Sequence, residues 1–447
     1  MEQRRQYIIL DDDPTGIQTV HSCLAVTCWD REILRSCFED DIPFFYVLTN
    51  TRAVAEDIAR RRITEAVSAA LDVNKSYNYK LTFICRSDST LRGHYPLEIE
   101  EVEKTIRSQQ PGFVPDARFF IPAFFEAGRI TKDNIHYVID EGRKTPVHET
   151  PFARDSVFGY TAPTLPEYME EKSNGRISAG DVSSISLDQI RSRAIPEIEA
   201  YISELPPRSW VVVNAEGYED LEKFSEAVRK VLKHGKRLGK QFLFQCSSSF
   251  PKAITAIPDK PVLTEEELLQ GPRGLVVVGS HVPKTTRQLE QLLRERGTAG
   301  IEIDLEPVLN SDDARADELK RIIENIEQSW REEHVPVVFT PRRELHYADS
   351  EERLRAGTII SRFLVAIVQN VEVPLSFLIA KGGITSHDIL AEGLSVKATR
   401  VLGQVLPGVP VLRMPDSHPS AGMPYIIFPG NVGEDSALSD VVRKLVP

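Results

Sequence analysis

The chain has 447 residues, with 54 Lys and Arg against 66 Asp and Glu, and its net charge of −12 argues against a general nucleic-acid or membrane-surface binder. Hydrophobic residues make up 41% and charged residues 27%, which excludes a disordered or fibrous chain. At about 150 residues per domain, this length predicts two or three domains, each with its own core.

The N-terminus, the apolar runs and the cysteines bear on where the protein is located. The N-terminus is polar, and no apolar run approaches the ~18 residues of a membrane span. The five cysteines include no CxxC pair and mostly lie in apolar, strand-like text, which predicts buried free thiols in a reducing compartment. We therefore expect a cytoplasmic protein that has neither nucleic acid nor a membrane as a partner.

Short apolar runs alternate with amphipathic stretches along the first half of the chain. We predict helices over 55–71 and 221–234, and a long surface excursion over 143–180, where prolines interrupt the pattern. The predicted strands are YIIL (7–10), FFYVLT (44–49), LTFIC (81–85), FFI (119–121), WVVV (210–213) and FLF (242–244).

The second half repeats the alternation. The predicted strands are 275–278, 300–303, 335–339 and 375–380, and the predicted helices are 286–295, 314–333 and 351–371. This pattern predicts the α/β class: two consecutive α/β domains with mainly parallel sheets and a ligand cleft between them. Irregular, proline-rich text near residue 260 marks the boundary, and we divide the chain into domains 1–255 and 256–447.

Three adjacent aspartates, Asp11, Asp12 and Asp13, follow the first predicted strand in YIILDDDPTG. Open α/β sheets bind their ligands at the carboxyl ends of strands, where a carboxylate can accept a proton from a substrate hydroxyl or hold Mg²⁺. The alternative is an acidic turn with helix-capping residues. Because neighbouring acids repel each other, the run favours a functional role.

A second charged motif, CRSDSTLRGHYPLE, follows the strand LTFIC. Arg86 and Arg92 offer bidentate donors for a carboxylate or phosphate, and Asp88 can orient one of them or bind a polyol hydroxyl. LTNTR adds Arg52 at another strand end. The alternative is a helix-capping loop with surface ion pairs.

Glycines mark the strand ends of the second half. The residues concerned are Ser280 in LVVVGSH, Gly382, Gly383 and Thr385 in FLIAKGGITS, and Gly430, Asn431 and Gly433 in YIIFPGNVG. One such junction is usually only a tight turn, but together they favour a cradle whose backbone N–H groups bind phosphate. Neither a GxxxxGK[ST] nor a GxGxxG motif occurs.

With these motifs the chain resembles the four-carbon acid sugar kinase family. The matching pieces, in the family's order and over nearly the whole chain, are DDPTG (12–16), TNTR (49–52), SDSTLRG (87–93), VVGS (277–280), KGGITS (381–386) and FPGNVG (428–433). The resemblance implies an N-terminal sugar-acid-binding domain, a C-terminal ATP-binding domain, and phosphoryl transfer to the terminal hydroxyl of a threonate-, erythronate- or 3-oxo-tetronate-like acid. Ile384 stands where many members carry an acidic residue, and Arg86 where a lysine is common.

For such a kinase we predict Asp12 as the catalytic base and ATP with Mg²⁺ as the cofactors, without assigning metal ligands. The predicted substrate-binding residues are Asp13, Thr15, Arg52, Arg86, Asp88 and Arg92. The predicted ATP-binding residues are Ser280, Gly382, Gly383, Thr385, Gly430, Asn431 and Gly433. The expected partners are a small sugar acid and ATP, and a homodimer stays open.

Two other functions fit parts of the sequence. Residues 11–15 match the DxDxT pattern of haloacid-dehalogenase-type phosphatases, in which Asp11 would be the nucleophile, although a convincing lysine and acid pair are missing later in the first domain. A non-enzymatic sugar-acid sensor could use the same two domains, but no DNA-binding module accompanies them.

Overall fold

The computed structural model describes residues 3–140, 142–234, 240–268, 271–343 and 350–446. The chain divides into two compact units, Met1–Asp259 and Lys260–Pro447. Both are α/β units with mostly parallel sheets, so the predicted fold class is confirmed. The predicted strands and helices also form, with ends shifted by a few residues.

A parallel sheet runs through the first unit. The strands of this unit are β1 (Arg5–Asp11), β2 (Leu24–Val26), β3 (Phe44–Leu48), β4 (Lys80–Arg86), β5 (Ala117–Ile121), β6 (Arg129–Lys132), β7 (Ile135–Asp140), β8 (Arg143–Pro146), β9 (Val182–Ile185), β10 (Ser209–Val213) and β11 (Phe242–Cys246). The order across the main sheet is β2-β3-β1-β4-β11-β5-β10-β9, with neighbouring strands parallel. β3 and β5 are buried at every position, as strands with both faces covered must be.

Amphipathic helices connect these strands. They are α1 (Arg31–Glu39), α2 (Glu56–Asn74), α3 (Leu97–Gln109), α4 (Leu165–Lys172), α5 (Leu187–Ser192), α6 (Ile195–Glu204), α7 (Tyr218–His234) and α8 (Ser249–Thr255). In α2 the buried residues Ala59, Ile63, Ala66 and Ala70 recur every three or four positions, so one stripe packs inward while Glu56 and Asp57 face solvent at the first turn.

The connections reverse direction at β1. The chain passes from β1 to β2 and β3 on one side, and then crosses to β4 on the other. Ligands of open α/β sheets bind at such a switch point, outside the carboxyl ends of the strands. The Asp11 run, the TNTR segment and the SDSTLRG loop follow β1, β3 and β4, so the fold gathers them at this switch point.

The stretch 143–180 corrects the prediction of a surface excursion. Its residues Tyr160, Leu165, Tyr168 and Met169 are buried in one cluster with Leu91. A capping box between Thr164 and Glu167 starts α4, and the antiparallel sheet β6-β7-β8 precedes it. The prolines of this stretch open short helices and turns, which interrupt the hydrophobic period although one face of the stretch is packed against the rest of the first unit.

The second unit also contains a series of paired β-strands. Its strands are β12 (Gly274–Val278), β13 (Thr298–Glu302), β14 (Val335–Phe339), β15 (Phe377–Lys381), β16 (Ala398–Leu406), β17 (Val409–Arg413) and β18 (Pro424–Phe428). The order is β13-β14-β12-β15-β18-β17-β16. β13, β14, β12, β15 and β18 pair in parallel with their neighbours. β17 pairs antiparallel with β18 and forms with β16 an antiparallel hairpin that was not predicted from the sequence. The chain reverses direction at β12 just as it does at β1.

Helices flank these strands as well. They are α9 (Glu265–Leu268), α10 (Pro283–Leu292), α11 (Leu305–Asn310), α12 (Asp312–Arg331), α13 (Ser350–Gln369), α14 (Gly383–Asp388) and α15 (Ala437–Leu445). The core on one side joins Val276, Ile379 and Phe428 of the strands to Leu289 of α10 and Leu438 of α15. The glycine-bearing loops after β12, β15 and β18 therefore begin at strands that are packed in this core.

The described residues contain no helix long and apolar enough to cross a membrane. The cysteines are free thiols; Cys23, Cys37, Cys85 and Cys246 are buried, and Cys28 is half-buried. The prediction of free thiols is confirmed, and full burial holds for all but Cys28.

Replacing Tyr168 by Phe tests whether the packing of residues 143–180 stabilises the first unit. The Tyr168 hydroxyl donates to the Leu91 carbonyl at 2.8 Å in a buried setting. Because the variant leaves that carbonyl unpaired, we expect the free energy of unfolding to fall by about 1–3 kcal/mol in chemical denaturation. Tyr137→Phe, in the half-buried strand β7, is the matched control and should change stability little. Equal effects of the two variants would contradict the packing role.

Candidate active site

A buried arginine, Arg86, and a half-buried one, Arg52, organise the acidic strand end of the first unit. Arg86 Nη1 donates to Asp11 Oδ1 at 3.1 Å and to Asp12 Oδ1 at 3.3 Å, and Arg86 is 3% exposed. Arg52 Nη2 lies 2.9 Å from Asp13 Oδ2, and its Nη1 lies 3.0 Å from Asp88 Oδ1. The structure thus brings together the predicted residues from three separate loops.

Arg92 and Thr15 complete the predicted set. Arg92 Nε donates to Asp88 Oδ2 at 2.8 Å, and the Arg92 side chain keeps a quarter of its surface exposed. Thr15 is buried, and its backbone N–H donates to Asp13 Oδ1 at 2.9 Å, so Asp13 caps the short helix Pro14–Thr19. Through this hydrogen bond Thr15 holds the Asp13 carboxylate in position.

Burial and the arginines divide the carboxyl groups into two kinds. Burial raises the pKa of Asp11 to about 8 and the pKa of Asp12 to about 7, although Arg86 opposes both shifts. Burial is the largest single influence on Asp13 and Asp88 as well and would raise their pKa values. At Asp13 the charges of Arg52 and Arg86 and the hydrogen bonds from Thr15 together outweigh burial. At Asp88 the charges of Arg92 and Arg52 and the hydrogen bonds from Arg92 and Thr90 do so. Both pKa values therefore lie below their ordinary range.

The cluster brings together the guanidinium groups of Arg52, Arg86 and Arg92. Arg52 pairs with Asp13 and Asp88, and Arg92 Nη1 also lies 3.9 Å from Asp155 Oδ2. Guanidinium groups gathered at a strand end can bind an anionic ligand such as a carboxylate or phosphate.

Side chains from β7 and from the stretch 143–180 hold the loop that carries Asp88 and Arg92. His136 Nε2 donates to the Ser89 carbonyl, Tyr160 to the Thr90 carbonyl and Tyr168 to the Leu91 carbonyl, each at 2.8 Å. Burial lowers the pKa of His136 to about 4, so the ring is neutral; its Nδ1 accepts from Thr131. Three successive carbonyls are thereby fixed from outside the loop.

Sequence reasoning missed three buried residues of this site. Glu98, at the start of α3, accepts from Thr51 Oγ1 at 2.5 Å, and burial raises its pKa. Gln245 contacts Glu98, and Ser248 accepts from Arg86 Nη2 at 3.2 Å. A polar residue inside the apolar strand FLFQC was the available signal for Gln245, whereas Glu98 resembles any acid in a first helical turn.

The glycine loops of the second unit converge at the ends of β12, β15 and β18. A Cβ at Gly382, whose φ is +119°, would lie 3.0 Å from Ser280 Cβ, and a Cβ at Gly430 would lie 3.0 Å from Ser280 Oγ. Thr285 Oγ1 joins the loops, because it donates to the Gly430 carbonyl at 3.2 Å and lies within hydrogen-bond distance of Ser280 Oγ, at 3.1 Å. The positive φ of Gly382 and the close approach of both glycines to Ser280 favour residues without a side chain at these two positions.

The other predicted residues of the cradle lie around this point. Gly383 opens α14, and Thr385 is buried within that helix with its Oγ1 against Gly279. Asn431 and Gly433 are half-buried beyond Gly430, in a loop whose carbonyls at Val432 and Glu434 accept from Gln288. Ile384 is 52% exposed, so it meets solvent rather than the core.

Lys381 lies beneath the cradle. It is fully buried, and its Nζ donates to the Pro429 carbonyl at 2.6 Å and lies 4.2 Å from the Phe428 ring centre. Burial holds its pKa well below the ordinary range. Its contacts fix the Pro429–Gly430 segment from below.

The residues present fit a phosphate group at this cradle, because close backbone approach without side chains is what phosphate oxygens need. They do not form a metal cage: within the described ranges no group of three or more His, Cys, Asp or Glu side chains is suitably placed for a metal ion.

Comparison with known proteins gives two family matches along the chain. A family described as a sugar-binding N-terminal domain matches residues 7–254, and one described as a nucleotide-binding C-terminal domain matches residues 275–438. No curated protein matches the chain.

Solved structures share the fold. A Haemophilus influenzae protein of a family of unknown function aligns with a TM-score of 0.61 at 16% identity, covering 98% of this chain and 99% of that one. A Salmonella typhimurium LT2 protein provisionally described as a tRNA synthase aligns with a TM-score of 0.67 at 15% identity, with the same coverage. At such low identity the likeness establishes the fold and nothing further.

Gly16→Ala tests how tightly the aspartate cluster is packed. A Cβ at Gly16 would lie 2.1 Å from Asp11 Oδ1, so the Asp11 carboxyl must move. We expect the free energy of unfolding to fall by about 1–3 kcal/mol in chemical denaturation. Gly112→Ala, where a Cβ would meet nothing within 4 Å, is the matched control. A stability equal to that of the control would show that the Asp11 carboxyl relaxes freely.

Proposed function

The chain belongs to the four-carbon acid sugar kinase family, and from this premise we propose that it uses ATP to phosphorylate the terminal hydroxyl of a four-carbon acid sugar of the threonate, erythronate or 3-oxo-tetronate class. The observation that carries the proposal is the Asp12 carboxyl. Its Oδ2 is buried without a hydrogen-bond partner among the described residues, while its Oδ1 is held by Arg86.

Asp12 has the properties of a general base in this reaction. A general base works best when its pKa lies near the operating pH, and burial raises the pKa of Asp12 to about 7. Gly93 lies beside Oδ2, so that no side chain of that residue covers the carboxylate. In the proposed reaction Asp12 accepts the proton of the substrate's terminal hydroxyl as its oxygen attacks phosphorus.

We assign the arginines to binding the substrate carboxylate and to stabilising the negative charge of the phosphoryl group during transfer. Arg92 is the most exposed of the three and can present a bidentate face to a carboxylate. Arg52 binds Asp13 and Asp88 and also lies 3.5 Å from Asp12, so it fixes these carboxylates relative to one another. Arg86 is buried against Asp11 and Asp12, and we assign it a positioning role instead of the predicted substrate contact.

The predicted ATP-binding residues Ser280, Gly382, Gly383, Thr385, Gly430, Asn431 and Gly433 are proposed to hold the nucleotide. The convergence of Ser280, Gly382 and Gly430 supports a phosphate cradle, with Lys381 positioning the Pro429–Gly430 segment. Mg²⁺ carried by ATP would neutralise phosphate charge; no step is assigned to protein ligands of the metal.

The phosphatase alternative loses support from Asp11. A nucleophilic aspartate must be ionised, but burial raises the pKa of Asp11 to about 8. At neutral pH the Asp11 carboxyl is mostly protonated, which suits a buried partner of Arg86 better than a nucleophile.

Asparagine variants of Asp11 and Asp12 separate these roles. Asp12→Asn should lower kcat/KM by about 10²–10⁴-fold, because the base is lost. Asp11→Asn should retain most activity, since an amide resembles the protonated carboxyl. The measurement is ADP formation with a panel of four-carbon acid sugars; phosphate release from sugar phosphates without nucleotide would favour the phosphatase, and binding without turnover would favour the sensor.

The pH profile gives an independent check on Asp12. The base must be ionised to act, and its pKa is raised to about 7. We therefore expect kcat/KM of the native enzyme to fall as the pH drops through 7, by about tenfold for each further pH unit. A profile that stays flat down to pH 5 would assign the base elsewhere.

Gly430→Ala tests the nucleotide cradle. The added Cβ would lie 3.0 Å from Ser280 Oγ and 3.2 Å from Val282 Cγ2, narrowing the space for phosphate. We expect KM for ATP to rise on the order of tenfold while KM for the sugar acid changes little. Gly357→Ala in α13, where a Cβ meets nothing within 4 Å, is the matched control. Equal rises in both KM values would indicate a general loss of structure.

A further inference from the structure

Gln245 is a buried amide at the carboxyl end of β11. It is 1% exposed and pairs in register with Cys85 of the neighbouring strand β4. No step of the reaction above uses it. A polar side chain in the middle of an apolar strand costs free energy unless its hydrogen-bonding groups are satisfied.

Its neighbours fix the orientation of the amide. Gln245 Nε2 donates to Ser87 Oγ at 2.9 Å and to Glu98 Oε2 at 3.3 Å. Ser87 Oγ donates its own proton to the Cys246 carbonyl at 3.4 Å, so it faces Gln245 as an acceptor. The amide nitrogen therefore points to these two acceptors, and the amide oxygen points away from them.

The amide oxygen has no partner in the protein. Gln245 Oε1 is buried without a hydrogen bond to any described residue. Gln245 lines a cavity of about 10 Å³ together with Asp88, Arg92 and Gly93. That volume holds one water molecule, or one hydroxyl group of a ligand bound at Arg92.

We propose that Gln245 Oε1 accepts a hydrogen bond from the C3 hydroxyl of the sugar acid, so that the site selects a hydroxy acid over its 3-oxo or 3-deoxy counterpart. The proposal rests on the sugar-acid kinase function and narrows its substrate class to threonate- or erythronate-like acids. Ser87 and Glu98 are positioning residues in this scheme, because they hold the amide without touching substrate.

The selection follows from the chemistry of a fixed acceptor. A hydroxyl can donate a hydrogen bond to the amide oxygen. A keto oxygen has no proton to donate, so its lone pairs and those of the amide oxygen repel each other. A deoxy acid leaves the buried acceptor unpaired. Sites built to bind a substrate hydroxyl discriminate strongly against analogues that lack it.

Calorimetric binding without ATP tests the proposal on the full-length protein. The ligands are threonate and erythronate, the 2-deoxy and 3-deoxy analogues, and the 3-oxo acid. We expect the 3-oxo acid and the 3-deoxy acid to bind at least about tenfold more weakly than the better hydroxy acid, and the 2-deoxy acid, which keeps the C3 hydroxyl, to lose less. Gln245→Met should remove most of this difference by weakening the hydroxy acid.

Two further variants keep the test decisive. Ser87→Ala removes one acceptor that orients the amide; it should reduce the hydroxyl preference and improve binding of the 3-oxo acid, because the amide can then turn its NH₂ group toward the ligand. Gln6→Met is the matched control, since Gln6 is a 0% exposed amide at the far end of β1, and it should leave the preference unchanged.

The outcomes separate this proposal from the kinase function. Equal binding of hydroxy, oxo and deoxy acids, or a preference that persists undiminished in Gln245→Met, overturns the role of Gln245 even if ADP is formed. A preference that depends on Gln245 without any ADP formation supports the hydroxyl contact and overturns the kinase function. Binding of none of these acids overturns both.

Discussion

The first unit depends on a buried ion network in which Arg52 and Arg86 hold four aspartates. Each charge would be costly in the interior by itself, and removing one partner of a buried pair typically destabilises a protein by about 3–5 kcal/mol. The network is stable because the arginines contact more than one carboxyl each: Arg86 binds Asp11 and Asp12, and Arg52 binds Asp13 and Asp88. The strand ends that carry these residues must therefore keep their register.

The same network produces different chemistry at neighbouring carboxyls. Asp11 and Asp12 are the most deeply buried, and desolvation raises their pKa values. Asp13 and Asp88 lie nearer the exposed guanidinium edges and stay ionised. One acidic cluster can thus hold fixed negative charges, a nearly neutral acid and a group that titrates near neutral pH. Differences in burial over a few ångströms separate these roles.

The buried acceptors without partners indicate where a ligand completes the network. Asp12 Oδ2 and Gln245 Oε1 are both buried and unpaired among the described residues; Asp12 directly follows β1, and Gln245 lies near the carboxyl end of β11, two strands away in the same sheet. Glu98 links them, because it accepts from Gln245 and lies close enough to raise the pKa of Asp12. A polyol with an acidic group meets such a surface with donors for the acceptors and an anion for the arginines.

The sequence by itself determined the fold class, the main strands and helices, and the loops in which Asp12, Arg52, Arg92 and the glycines lie, because periodicity and strand-end motifs are local signals. Only the tertiary structure decided which charges meet: Arg86 turned out to be buried against Asp11 and Asp12. It also showed that 143–180 is packed, since His136, Tyr160 and Tyr168 hold the carbonyls of residues 89–91 across long sequence separations. Glu98 could not be selected from sequence, and the polar residue in FLFQC marked Gln245 without indicating its partners, because burial and partner choice depend on contacts between distant segments. Local patterns place residues at strand ends, whereas pKa values and unpaired acceptors arise only when several strand ends pack together.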